Sequence, residues 1–154
     1  MNIADLLIYF CTRYPLPQEL SKARLTKMVY LADWESCLRL GKQLTAIQWY
    51  FHNFGPYVED VLLAAEQSEA LEVIRTENIY GDTKQIIKAR NRVNAPNLPR
   101  EVENILDEVM NKTKGLYWAD FIKYVYSTKP IAESTRYTSL NLERFARGEP
   151  AARP

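Results

Sequence analysis

Few side chains in this chain are of a type and spacing that could do chemistry. His52 is the one histidine. It stands in the aromatic run "WYFHNFGPYVEDVL", Trp49 to Leu62, where it would serve as a base or a pH-sensing group if a partner positioned it. No cysteine or second histidine lies at ligand spacing from it, so a zinc site is not expected. Glu59 with Asp60, and Glu101 with Glu103, are one or two positions apart. Such neighbours do not share a helix face and make no acid–base pair. Cys11 and Cys37 form no CxxC motif and sit in apolar helical stretches, where a thiol behaves as a small hydrophobe. The five glycines are scattered singly, so neither a GxGxxG nor a P-loop phosphate cradle occurs, and no GxSxG nucleophile elbow is present. The expectation is a non-enzymatic protein without metal or cofactor.

Composition bounds what remains. With 154 residues, 47% of them apolar and 25% charged, the chain suits one soluble domain with a real core. A formal net charge of +1 gives no global pull toward nucleic acid or anionic lipid. "MNIADLLIYF" lacks a basic n-region and carries Asp5 within its apolar run, unlike a signal peptide. Nothing approaches the ~18 uninterrupted apolar residues of a membrane span. The cytoplasm is the expected compartment, with no membrane partner.

The elements follow from periodicity and caps. Ile3, Leu6, Leu7 and Phe10 predict a helix over 2–14, stopped by "YPLP". Ser21 is a candidate N-cap and Gly41 a candidate C-cap for a second helix. Leu25, Met28, Val29 and Ala32 share one of its faces, while Leu31, Trp34 and Leu38 point elsewhere; a helix apolar on several sides is central to its domain. "AIQWYFHNF" reads as a strand. Pro56 then suits the first position of a third helix, with Glu59 and Asp60 in its first turn. "LEVIRTENIYGDTKQIIKA" predicts a hairpin turning at Tyr80-Gly81-Asp82. Val102, Ile105, Leu106 and Val109 mark a fourth helix, entered at Pro99; Trp118, Phe121, Ile122 and Val125 mark a fifth, ended by Pro130. The remainder, "TRYTSLNLERFARGEPAARP", loses periodicity and reads as a polar surface tail, disordered toward its end. The sum is an α+β, mainly helical single domain: about five helices with a small antiparallel sheet inserted near the middle.

Ten tyrosines and three tryptophans are unusual. A core with an amphipathic rim accounts for most of them, but Tyr117, Trp118, Tyr124, Tyr126 and Tyr137 crowd the C-terminal third beyond what one helix face can bury, and rings with a polar handle favour interfaces. The candidate partner-binding residues are Tyr80 on the hairpin, Tyr117 and Trp118, and Tyr137 and Phe145 in the tail. "KQIIKARNR", Lys84 to Arg92, offers a second route: a basic hairpin that would meet phosphates in a DNA-binding regulator. Lysines on a sheet edge also discourage aggregation, which accounts for them without nucleic acid.

Three segments, in order, carry a family resemblance: "KMVYLADW", "WYFHNFGPYVEDV" and "YWADFIKYVYSTKP". Together, from about Leu25 to Pro130, they resemble the Panacea domain, also called the SocA-like antitoxin or phage-associated protein domain. Lys27-Met28-Val29-Tyr30, Gly55-Pro56 and Ser127 to Pro130 match best. Two positions depart from the family pattern: His52 stands where a tryptophan often precedes the Gly-Pro, and Tyr126 where the late helix often has a histidine. The resemblance implies a domain over 1–140 with a tail over 141–154, acting as the antitoxin of a bacterial or prophage toxin–antitoxin pair. The partner implied is a cognate protein toxin, neutralised by direct binding or by delivery to a protease. It also implies an architectural Gly-Pro turn, with Trp49 and Phe51 packed inward, Gly55 at the bend and Pro56 launching a helix. On this reading, deletion after Leu140 weakens toxin binding without lowering the melting temperature.

Overall fold

The computed structural model describes residues 1–149, and the last residues of the expected tail lie outside it. The described residues form seven α-helices and five β-strands. Helix α1 (Ile3–Arg13) starts where the Asn2 side chain accepts from the Ala4 N–H at 2.8 Å. It ends at extended Tyr14, since a residue before proline is driven out of helical geometry. A short 3-10 turn, Pro17–Glu19, leads into α2 (Lys22–Leu40).

Helix α2 is the spine of the fold. Ser21 caps it by accepting from the Arg24 N–H at 3.1 Å, and Gly41 closes it at φ +80°, a left-handed conformation glycine adopts without strain. Leu25, Met28, Val29, Tyr30 and Ala32 are fully buried, and Leu31 and Trp34 nearly so, while Leu38 is exposed. Helices α1, α3 (Asp60–Gln67), α4 (Arg100–Thr113) and α7 (Leu142–Ala146) all pack against it. It is central because apolar groups occupy more than one of its sides.

Strands β1 (Trp49–His52), β2 (Gly55–Pro56) and β5 (Ser139–Leu140) make a small antiparallel sheet in the order β2-β1-β5. A second, two-stranded sheet pairs β3 (Leu71–Glu77) with β4 (Thr83–Ala89), from Leu71↔Ala89 to Glu77↔Thr83. Its turn is organised by Asn78, whose Oδ1 accepts from the Tyr80 and Asp82 N–H groups, with Gly81 at φ +81°. The α+β class, the central second helix and the mid-chain hairpin are as the sequence predicts. Helix α5 (Trp118–Tyr126) and the short α6 (Lys129–Ala132) complete the chain order. No described helix is long and apolar enough to cross a membrane.

Three expectations are corrected. The helix count is seven rather than about five, because α6 and α7, of four and five residues, are too short to show a 3.6-residue period. Pro56 does not open a helix: it lies in β2 opposite Phe51, and α3 begins only at Asp60 with Glu59 as N-cap. An edge strand tolerates proline because the missing N–H faces no partner strand.

The third correction concerns the tail. Leu140 pairs with Trp49, Leu142 is fully buried, Phe145 is 6% exposed, and Asn141 caps α7 by accepting from the Arg144 N–H at 3.2 Å. Deletion after Leu140 is therefore expected to lower the melting temperature. Losing two buried apolar side chains costs ~4 kcal/mol or more, worth on the order of 10 °C at this size. A calorimetric scan of the truncated chain checks it, and an unchanged midpoint would show that α7 contributes nothing to the core.

Candidate partner-binding site

Two adjoining clefts open along the N-terminal half of α2, sharing Lys22, Ala23 and Trp118 as their common wall. The more apolar one encloses ≈ 650 Å³ between α2, the β1–β2 turn and α5. Lys22, Ala23 and Lys27 come from α2; His52, Asn53 and Phe54 from the turn; Tyr57 and Glu59 follow it; Trp118, Ile122 and Tyr126 come from α5. Helical spacing explains both long walls: residues three and four apart share a face, as Trp118, Ile122 and Tyr126 do.

The Gly55-Pro56 turn holds these walls together. Gly55 has φ +106°, a conformation open to glycine and strained for other residues. A β-carbon there would lie 3.2 Å from Tyr126 Cε1 and 3.6 Å from Lys27 Cε, so the missing side chain is what lets α5 and α2 close on the turn. Phe51 meets Tyr126 edge-on at 5.9 Å between ring centroids. On the other side Tyr137 braces the turn: its N–H donates to the Phe51 carbonyl at 2.6 Å and its hydroxyl to Asn53 Oδ1. Trp49 and Phe51 are buried, as expected.

The floor is cationic. Lys27 is 2% exposed, makes no hydrogen bond or ion pair with a described residue, and sets its Nζ 5.9 Å from the Trp118 ring centroid. Burial alone brings its ammonium down to about 8. Arg24, one turn earlier on α2, is also buried. It stacks 4.4 Å over Phe121 and donates through Nη2 to Tyr14 Oη and to the carbonyls of Thr113 and Leu116. Its Nε is left without a partner among the described residues. Lys22 holds its Nζ 5.6 Å from the Tyr57 ring. No carboxylate answers any of these three among the described residues.

His52 sits in a nest of rings, 5.9 Å from Tyr50, 6.2 Å from Tyr137 and 6.3 Å from Tyr57. Its Nδ1 accepts from the Asn53 N–H at 2.9 Å, which ties it to the turn. Glu59 lines the same cleft, but its carboxylate accepts from the Tyr57 hydroxyl at 3.1 Å and does not bond to His52. The described residues contain no cluster of three or more His, Cys, Asp or Glu fit to hold a metal ion. Cys11 and Cys37 are buried, and burial pushes both thiols up to about 12.

Of the sequence-predicted partner residues, Trp118 lines both clefts, Tyr117 lines the neighbouring one and is 85% exposed, and Tyr137 stands exposed beside His52. Tyr80 is exposed at the hairpin tip and lines neither cleft. Phe145 is buried in the core, so as a surface contact it is corrected: α7 turns it toward α2. On the basic hairpin, Arg90 is paired with Glu72 at 3.5 Å, while Lys84 borders the neighbouring cleft. Sequence reasoning missed Phe54, Tyr57, Ile122 and Tyr126 as cleft walls, and Lys27 as its floor. The available signal was a lysine flanked by Leu25, Met28 and Val29, whose neighbours dictate burial.

No curated protein and no solved structure matches this chain. A family model does: residues 25–130 match the antitoxin SocA-like, Panacea domain. That span begins within α2, includes Lys27 but not Lys22 or Arg24, and ends just past the helix that supplies the aromatic wall. The protein therefore belongs to the SocA-like Panacea antitoxin domain family.

Proposed function

We propose that this protein is the antitoxin of a bacterial or prophage toxin–antitoxin pair, a cytoplasmic, non-enzymatic binder that neutralises a cognate protein toxin by direct contact. Membership of an antitoxin-like family over residues 25–130 is the observation that carries this reading. The surface supports it. Phe54 is 77% exposed and Tyr117 85%, with Trp118 and Tyr137 also open to solvent, and all four stand on or beside the two clefts. Large rings left in water around a concave surface are the arrangement from which interface hot spots are built.

Co-expression with the neighbouring small reading frame tests it. The neighbouring product alone is expected to arrest growth, and the pair to restore growth and co-purify as a stoichiometric complex. Rescue with a shortened toxin half-life and no stable complex would replace blocking by proteolytic delivery. A neighbour without toxicity, and no complex, would remove the antitoxin reading.

A further inference from the structure

We infer that the cleft between α2 and α5 is an acidic-residue receptor: it takes an Asp or Glu side chain of the protein partner, flanked by an apolar residue, onto the Lys27 ammonium. The inference rests on the binding reading above and names the chemistry of the contact.

The argument starts from charge. A lysine removed from water without a counter-ion or acceptor is costly, and folded proteins normally pair such a group or coordinate it. The Lys27 ammonium has neither among the described residues and meets solvent only through the cleft it lines, and a second buried cation, Arg24, lies one turn away with its Nε unpartnered. Both project from the helix that carries the fold, so the arrangement is rigid and built in. Lys27 is not sealed in the core. It lines the ≈ 650 Å³ cleft and its Nζ is directed at Trp118, the wall shared by both clefts. An incoming anion would reach it without rearrangement of the backbone.

The kind of anion follows from what surrounds the ammonium. A phosphate dianion calls for several convergent donors, commonly an arginine fork or a nest of backbone N–H groups. Here Arg24 spends its Nη2 on Tyr14 and two carbonyls; the cleft that Lys27 lines is walled by Ile122, Tyr126, Trp118 and Phe54, with Lys22 set over the Tyr57 ring and the Glu59 carboxylate already bonded to the Tyr57 hydroxyl. A buried ammonium set among apolar and aromatic side chains matches a carboxylate with an apolar neighbour. The rings reach past the cleft, from Phe54 on the turn to Tyr117 ahead of α5, over more surface than a small acid would cover. That extent favours a protein segment as the source.

The test is a titration of the full-length, isotope-labelled protein with short peptides, followed by NMR. N-acetyl-Phe-Asp-amide is expected to bind saturably at millimolar strength, moving the Trp118 indole N–H and the amides of Phe54 and Tyr126. N-acetyl-Phe-Asn-amide, equal in size but neutral, is expected to bind about tenfold more weakly or worse. Lys27→Met keeps the length and removes the charge, and should make the two peptides equal while leaving the melting temperature unchanged or raised. Phe54→Ala, on the exposed rim, should weaken the Asp peptide without touching stability, and serves if Lys27→Met does not fold.

Equal binding of the Asp and Asn peptides to the wild type overturns the inference, as does a preference that survives Lys27→Met, or no saturable binding at all. Tighter binding of inorganic phosphate assigns the cleft to phosphate instead. A preference for N-acetyl-phenylalanine assigns it to a chain terminus. None of these measurements needs the toxin, so failure of the co-expression experiment and failure of this one are separate results.

Discussion

Asp33→Ala is expected to destabilise the protein at neutral pH by about 2–4 kcal/mol, the cost of its orphaned donors less the burial penalty of the ionised carboxylate, out of the ~5–15 kcal/mol that holds a domain folded. Asp33 is fully buried on α2 and has no cationic partner among the described residues. Its carboxylate is answered by donors from the loop after α2 and from Trp49, the first residue of β1. Oδ1 accepts from the N–H groups of Leu44 and Thr45 at 2.9 and 3.0 Å. Oδ2 accepts from Thr45 Oγ1 at 2.6 Å, Trp49 Nε1 at 2.8 Å and Gln43 Nε2 at 3.3 Å. One side chain therefore fixes the segment that carries the chain from α2 into β1. Alanine would leave these donors in a dry site, and each unsatisfied buried donor costs about 1–3 kcal/mol. Urea unfolding at pH 7 measures it; a loss under about 1 kcal/mol would mean that water replaces the carboxylate.

The same group gives a pH signature. Burial raises the Asp33 carboxyl from 3.8 to about 6, against the pull of the Thr45, Trp49 and Leu44 hydrogen bonds. The folded state then holds a proton that the unfolded state has released, between pH 3.8 and about 6. The stability that this extra proton contributes is fully present below the unfolded value and is lost as pH rises through about 6, while the hydrogen bonds to the loop remain. Asp33→Asn removes the titration, so the difference between wild type and this variant should vary over that window and be flat above it. A difference that is flat throughout would show that Asp33 titrates alike in both states.

Trp49→Ala is expected to cost about 3–5 kcal/mol, the range for truncating a large buried ring. Trp49 is 1% exposed, meets Tyr30 edge-on at 5.5 Å, pairs with Leu140 across β1 and β5, and donates to Asp33. Its loss opens a cavity and leaves the carboxylate one donor short. Trp49→Phe separates the two effects in part, since it keeps one six-membered ring in the core while removing the N–H together with the pyrrole portion of the indole. Because Asp33 and Trp49 touch, their effects should not add, and a double-mutant cycle should return a coupling of about 0.5–3 kcal/mol. Partner binding by Trp49→Ala should fall only as far as the folded fraction falls. A variant that melts like the wild type but no longer binds would make Trp49 a contact residue and overturn the architectural assignment.

The sequence by itself determined those features whose causes lie within a few residues of each other. Ser21 and Gly41 bound α2 because an N-cap hydroxyl and a left-handed glycine act on the backbone next to them. The Leu71–Ala89 hairpin and the Val102, Ile105, Leu106 and Val109 stripe were legible because period and turn chemistry are local. The family was legible from the order of three motifs. Tertiary structure decided the rest. A helical wheel shows that Lys27 stands among apolar neighbours, but not that Gly55 and Tyr126 close over it and leave it facing a cleft. Nor does it show that Asp33 gathers donors as far away as Trp49, or that a five-residue helix at the end of the fold buries Phe145. Burial and charge compensation depend on residues brought together from distant parts of the chain. Pairing of that kind leaves no period in the sequence, which is why the cationic cleft beside the aromatic turn could not be read from the residues.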